Sequence, residues 1–323
     1  MVIRVLVTGG TGFIGSHICD ALIGLGHEVV CLDNQITSSV ENISHLEGEG
    51  GFHFVNADIR DLEAIEIAMK GCTHVCHQAA LGSVPRSIDD PIRSTEINLI
   101  GGLNLLCASK ELGVKRFVFA SSSSVYGDDP QLPKIESRVG KPLSPYAASK
   151  SSFEDYASVF YGIHGIETIG LRYFNVFGPR QSPNGAYAAV IPKFVHSIQR
   201  GESPIIFGDG EQTRDFTFVR NVVDANLLAL FGENESSFGQ CFNVACGDTI
   251  SINKLFQDIK NSYEVLMNSE VSILPEYSNE RAGDVRDSLA DLEKIRSILG
   301  YSPRVSYLEG IRETVAWFIS GDT

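Results

Sequence analysis

The chain has 323 residues, 43% of them hydrophobic and 20% charged, enough for one large core or two modest ones. A formal net charge of −14 and a pI near 5.0 exclude sequence-independent nucleic-acid binding, which needs a basic surface, while leaving room for a local basic pocket. The opening MVIRVLVTGG is not expected to be a signal peptide, no apolar run has the length of a membrane span, and seven scattered cysteines fit reduced thiols in a cytoplasmic protein.

The first apolar run, IRVLVTG (3–9), reads as a strand and leads into GGTGFIG and a helical pattern over 13–25. Gly9, Gly12 and Gly15 stand in G-x-x-G-x-x-G spacing between them. The first permits a tight turn, the second lets the backbone approach a pyrophosphate, and the third lets helix and strand pack closely. The N–H groups and dipole of the helix would stabilise the anion. A second strand, EVVCLD (28–33), ends on Asp33, whose carboxylate suits an adenosine ribose and repels a 2′-phosphate, favouring NAD over NADP.

A third strand, FHFVNAD (52–58), ends on Asp58, which either reaches an adenine amino group or caps the following helix at 61–70. Strands at 73–80 and 116–122 flank a helix at 92–112, and a helix at 145–162 precedes a strand at 167–176. Cys72, Cys76 and His77 lie close together, but on an apolar run that reads as a buried strand, so no metal site is expected. Near-continuous apolar strands alternating with helices predict an α/β fold: a doubly wound, parallel Rossmann sheet.

Beyond 176 the pattern loosens. FGPRQSPNGAYAAVIPKF is turn-rich and then helical, and SPIIFGDGEQTRDFTFV reads as two short strands around a Gly-rich turn. Helices are expected at 221–231, 252–263, 289–298 and 307–319, with a strand near 271–275. A cofactor domain of residues 1–174 plus about 215–246 is expected to interleave with a smaller α/β domain of about 175–214 and 247–323.

SPYAASK (144–150) carries the chemistry. Ser144 suits an N-cap and Pro145 the first helical position, which places Tyr146 and Lys150 one turn apart on one face. A free tyrosine titrates near 10, so a phenolate at neutral pH needs a shift of roughly three units, or about 4 kcal/mol. The Lys150 ammonium, an oxidised nicotinamide and the helix N-terminus all push in that direction.

Together TGGTGFIG, Asp33, SSSSVYG and SPYAASK resemble the extended short-chain dehydrogenase/reductases, and within them the nucleotide-sugar 4-epimerases, over essentially the whole chain. The resemblance implies Tyr146 as catalytic base, Lys150 as its activator and Ser122 as partner serine. Ser124 would contact the sugar, with Ser123 beside it. It implies an NAD site of Gly9, Gly12, Phe13, Ile14, Gly15, Asp33 and Asn34. Asp58, Ile59, Gln78, Ala79, Ala80, Asn98, Tyr146, Lys150 and Tyr173 would complete that site. A UDP-sugar would meet Asn175, Val190, Phe207, Arg214, Arg281 and Asp284. Taken singly, each arginine reads more readily as a surface ion-pair partner, and the shared motif reverses that.

Gly82, Ser83 and Gln181 resemble the subgroup that prefers N-acetylated hexosamines, and Ser288 matches a gate position that is bulky in enzymes restricted to UDP-glucose. The expected activity is therefore UDP-N-acetylglucosamine/UDP-N-acetylgalactosamine 4-epimerisation, with UDP-glucose/UDP-galactose secondary. Alternatives are a UDP-glucose 4-epimerase proper, a UDP-glucuronate epimerase or decarboxylase, and, in another class, a non-catalytic NAD sensor. Related 4,6-dehydratases carry Asp-Glu where this chain has Ser123-Ser124, which argues against dehydration. The family further implies a homodimer paired through helices 92–112 and 145–162. The leucines of the first, Leu99, Leu103, Leu106 and Leu112, would equally suit packing on a sheet.

Overall fold

The computed structural model describes residues 2–183, 189–279 and 285–321. Its centre is an all-parallel sheet of β1 (Arg4–Thr8), β2 (Glu28–Asp33), β3 (Phe52–Asn56), β4 (His74–His77), β5 (Arg116–Ser122), β6 (Glu167–Tyr173) and Gln240–Val244. The spatial order is β3-β2-β1-β4-β5-β6 followed by Gln240–Val244. Strand order reverses between β1 and β4, paired from Val5–His74 to Thr8–His77, and a doubly wound sheet opens its ligand crevice at such a point.

Both faces are covered, as the continuous apolar runs require. Val5 and Val7 point into one core and Leu6 into another, following the two-residue period of a strand. α1 (Phe13–Gly24) and Val219–Phe231 fill the first core through Ile18, Leu22, Ala225 and Leu230. α2 (Leu62–Met69), α5 (Gly102–Glu111) and α6 (Pro145–His164) fill the second through Ile65, Leu105 and Phe153.

The helix expected at 92–112 is built differently. α3 (Val84–Asp89) and α4 (Pro91–Thr95) precede a π-helical turn, Glu96–Gly101, that runs into α5. Gly101 and Gly102 explain the close packing there. A Cβ on the first would lie 2.6 Å from Ile59 Cδ1, and on the second 2.5 Å from Phe153 Cε2. The widened turn carries the buried Asn98, whose side chain bonds the backbone N–H and C=O of Leu81 at 2.8 and 3.2 Å.

A third cluster joins Val190–Arg200, Ile252–Met267 and Tyr307–Ser320 through Phe194, Leu255, Phe256 and Ile311. The two strands expected around the turn at 208–210 do not pair with each other. Ile205–Phe207 pairs parallel with Glu276–Ser278, and Thr213–Arg214 antiparallel with Ile250–Ser251. The strand expected near 271–275 thus lies at 276–278. Asp215, fully buried, accepts the backbone N–H groups of Cys246, Gly247 and Ala290 at 3.0, 3.0 and 3.2 Å.

Candidate active site

The glycine turn sits at the carboxyl end of β1, against that of β4. Gly9 has φ +69°, and a Cβ there would lie 2.5 Å from the Ala79 nitrogen; one on Gly15 would lie 2.1 Å from the Gly9 carbonyl oxygen. Only glycine leaves this cradle open, and Gly12 is the N-cap of α1 with no side chain in front of the first N–H groups. Phe13 and Ile14, in the first turn of α1, pack against the third cluster.

Asp33 closes the adjoining cleft with Asn34, Ile59, Ala79 and Ala80. Its Oδ2 accepts the Thr11 N–H at 3.1 Å and its Oδ1 that of Gln35 at 2.7 Å, leaving lone pairs for ribose hydroxyls. Asp58 does not cap α2: Asp61 does, accepting the Ala64 N–H at 3.1 Å. Asp58 instead accepts Asn34 Nδ2 at 2.9 Å and a forked pair of bonds from Arg60, which hold its carboxyl below the usual range. Gln78 Oε1 accepts the Tyr173 hydroxyl at 3.0 Å, and Asn226 joins both side chains in one buried network. Asn98 is committed to Leu81, so it shapes this wall and does not present a free amide.

α6 starts as its sequence dictates, with Ser144 accepting the Ala147 N–H at 3.1 Å and Pro145 in the first turn. The Tyr146 N–H donates to Ser87 Oγ at 3.0 Å, tying the helix start to α3. Ser122, ending β5, lies close enough to the Tyr146 phenol to act on its ionisation and accepts the Ser124 N–H at 3.1 Å. Ser124 Oγ is buried with no hydrogen-bond partner among the described residues, and Ser123 is half-buried beside it. Lys150 is buried, 6.0 Å from the centre of the Tyr146 ring, and donates to the Ala120 carbonyl at 2.7 Å.

Electrostatics depart from expectation. Burial raises the Tyr146 phenol above its ordinary value, with Ser122 opposing. Burial also lowers Lys150 to about 8, with Glu154 opposing. The protein alone therefore keeps the phenol protonated, because dehydrating a phenolate outweighs the opposing influence of Ser122. A cation beside the ring is needed to reverse the balance.

On the other side of the crevice lies a cavity of about 540 Å³ lined by Asn175, Val190, Phe207 and Arg214. Asn175, at φ +34°, donates to the Asp215 carbonyl at 3.1 Å. Arg214 Nη1 donates to the carbonyls of Thr213 and Arg286, both at 2.8 Å, so part of its fork is fixed by backbone. The Ser288 N–H bonds the Thr213 carbonyl at 3.2 Å, which ties its backbone to the residue before Arg214, although Ser288 does not itself line the cavity.

Gln181 donates to the Val176 carbonyl at 3.0 Å, and its Oε1 is buried without a partner among the described residues. Ser83 lies in no free loop: it caps α3, accepting the Arg86 N–H at 3.2 Å, and Gly82 before it faces open space. Arg281 and Asp284 lie outside the described residues.

Sequence reasoning missed several residues here. Lys193 and Gln212 line the cavity, and Gln212 stands two positions before Arg214 in the same quoted stretch. Asn226, which organises Gln78 and Tyr173, carries no local signal in the sequence.

The profile of the NAD dependent epimerase/dehydratase family matches residues 5–245. A UDP-glucose 4-epimerase of Mycolicibacterium smegmatis is 38% identical over 317 residues, 98% of each chain. A UDP-N-acetylglucosamine 4-epimerase from Methanobrevibacter ruminantium, solved in complex with UDP-N-acetylmuramic acid, is 41% identical with a TM-score of 0.91, covering 99% of this chain and 100% of that one. A UDP-glucose 4-epimerase from Thermotoga maritima, solved with UDP-glucose, is 38% identical with a TM-score of 0.91, covering 99% of both chains. A Rossmann sheet, a glycine cradle fitted to a diphosphate and a near-full-length match lead to one conclusion. The chain belongs to the NAD dependent epimerase/dehydratase family.

Proposed function

We propose that the chain is a UDP-hexose 4-epimerase that interconverts UDP-N-acetylglucosamine and UDP-N-acetylgalactosamine, with UDP-glucose and UDP-galactose as secondary substrates. The observation that carries this reading is the grouping of Ser122, Tyr146 and Lys150 at the end of β5 and the start of α6, in a chain that also carries the glycine cradle and the 540 Å³ cavity. Residues 1–174 with about 215–246 form the cofactor side, and about 175–214 with 247–323 the sugar-nucleotide side.

The cradle of Gly9, Gly12 and Gly15 and the N-terminus of α1 would hold the NAD diphosphate, and Asp33 its adenosine ribose. Bound NAD supplies a hydride acceptor that is restored in each cycle. Tyr146 removes the proton of the sugar 4-hydroxyl and returns it after the 4-keto sugar has turned over. Ser122 orients that oxygen by its own hydrogen bond. Lys150, one helical turn on, stabilises the phenolate by its charge and would also hold the nicotinamide ribose of bound NAD. Arg214 and, with it, Arg281 neutralise the UDP diphosphate.

Two features favour the N-acetylated sugar. Gln181 holds a buried carbonyl oxygen without a donor among the described residues, and an acetamido N–H is such a donor. Ser288 leaves room where a large side chain would narrow the wall. We also propose that the chain dimerises through the faces of α4 to α6, where Ile92, Ile100, Val159 and Ile163 are exposed.

Wild type and Tyr146→Phe incubated with UDP-N-acetylglucosamine decide between enzyme and NAD sensor. Wild type should form the 4-epimer without added reductant, and the variant should lose 10²–10⁴-fold in rate, about 3–5 kcal/mol, while still binding NAD. No product from wild type refutes the proposal.

A further inference from the structure

Glu154 lies on α6 four residues beyond Lys150, on the same helical face, and is 9% exposed. Arg172 of β6 grips it with both ends of its fork, Nε to Oε1 at 2.9 Å and Nη2 to Oε2 at 2.7 Å. The Ser121 hydroxyl donates to the same Oε1. Ser121 and Ala120 are neighbours on β5, and Ala120 is the residue whose carbonyl receives Lys150. α6 is therefore fastened to β5 at two consecutive residues, immediately before Ser122.

We propose that Glu154 is a positioning residue for the epimerase reaction: its buried carboxylate is the counter-charge that keeps Lys150 an ammonium, and its bond from Ser121 fixes Lys150 in register with Ser122. The proposal rests on the epimerase reading of Lys150 and goes beyond it by assigning what maintains that cation in a dry site.

The surroundings leave this task to Glu154. From its own helix Lys150 faces Tyr146 and Glu154; from β5, the Ala120 carbonyl; from β4, His77, which burial and the Lys150 charge drop to about 3 and so keep neutral. Glu154 in turn faces Arg172, Ser121 and the Cys241 thiol, which burial pushes up and keeps protonated. Lys294 and Glu136 act on the same network from its outer side. Burial strips a lysine of its proton unless a carboxylate stands close, and Glu154 is the carboxylate that acts on this one. A Glu154 carboxylate whose field Arg172 cancels would leave the ionisation of Lys150 indifferent to the charge at position 154.

The test is ¹⁵N-lysine NMR titration of the Lys150 ammonium in holoenzyme, alongside the pH profile of kcat/KM, for wild type and Glu154→Gln. The Lys150 midpoint and the alkaline limb of the profile should both move to lower pH, by about one unit or more. Activity near pH 6 should fall far less than activity near pH 8. If Glu154→Gln does not fold, Glu154→Gln/Arg172→Gln removes both buried charges and should show a shift of the same sign. A midpoint and limb unchanged in the folded variant overturn the proposal, even if the overall rate is lower. Failure of the epimerase reading itself is separately visible, because wild type would then form no 4-epimer from UDP-N-acetylglucosamine, while the NMR midpoint of Lys150 would still report on Glu154.

Discussion

Replacing Gly15 by alanine probes the contact on which the cofactor cradle depends. The new Cβ would stand 2.1 Å from the Gly9 carbonyl oxygen, 2.8 Å from its carbon and 2.9 Å from Gly10 Cα, all backbone atoms that no rotamer change can move. The turn must lift off the helix. Overpacking of this severity costs about 3 kcal/mol or more, against about 1 kcal/mol that alanine gains over glycine as a helix former. A net loss of about 2 kcal/mol follows.

With about 2.1 cal/mol/K of unfolding entropy per residue over 323 residues, each kcal/mol moves Tm by about 1.5 °C, so cofactor-free Gly15→Ala should melt about 3 °C low. Cofactor linkage gives the sharper reading. NAD at about 100 times its Kd raises wild type by about 2.7 kcal/mol, or about 4 °C. A hundredfold weaker site at the same concentration gains about 0.4 kcal/mol, well under 1 °C.

Gly24→Ala in the last turn of the same helix is the control: a Cβ there meets nothing within 4 Å, and its Tm should stay level or rise by about 1 °C. The assay is a thermal melt of cofactor-stripped protein with and without NAD. A Gly15→Ala protein with wild-type Tm and an undiminished NAD-induced rise would refute the close-packing account of the turn.

Asp33→Ala should weaken NAD roughly 10- to 150-fold by calorimetric titration, since a charge-assisted bond contributes about 1.5–3 kcal/mol, and should narrow the preference over NADP. Ser288→Tyr should slow turnover of UDP-N-acetylglucosamine by an order of magnitude more than that of UDP-glucose, and equal losses in product assays would refute the gate. Acidification should destabilise the fold between about pH 6.5 and 4. Burial drops His17 and His74 to about 4 and His77 to about 3, so the unfolded chain binds more protons there and stability falls as pH falls. Asp215, which burial raises to about 6, opposes this over its own window, and its single carboxyl offsets only part of the three histidines. Urea midpoints at pH 7 and pH 5 check the sign.

What was legible in the sequence was whatever local chemistry decides. β2 spans 28–33 as read, because its apolar run is bounded by a turn and by Asp33, and α6 begins at Pro145 because Ser144 and Pro145 cap it. The glycine turn was legible because Gly12 and Gly15 answer to the Gly9 carbonyl within one strand–helix unit, although the contact of Gly9 with Gln78 and Ala79 is long-range. Long-range partners were not. The seventh strand, Gln240–Val244, is interrupted by Gln240 and Asn243 and becomes a strand only by pairing with β6, Gln240 opposite Ile169 through Val244 opposite Tyr173. The π turn at 96–101 depends on Ile59 and Phe153 packing onto Gly101 and Gly102 from other segments. The phenol–lysine spacing was visible, but its electrostatics were not, because the depth of burial of Tyr146 and Lys150 belongs to the assembled crevice.

Asp215, between the cavity-lining Arg214 and Phe216, joins the chain at 246–247 and at 290 through three backbone N–H donors. The scaffold of that cavity is thereby uncoupled from the identity of its lining. Substitutions at Phe207 or Gln212, which line it, leave these backbone bonds intact, so the lining can change while the loops keep their places. A change of lining in this cavity then requires exchange of a few side chains and no redesign of the backbone.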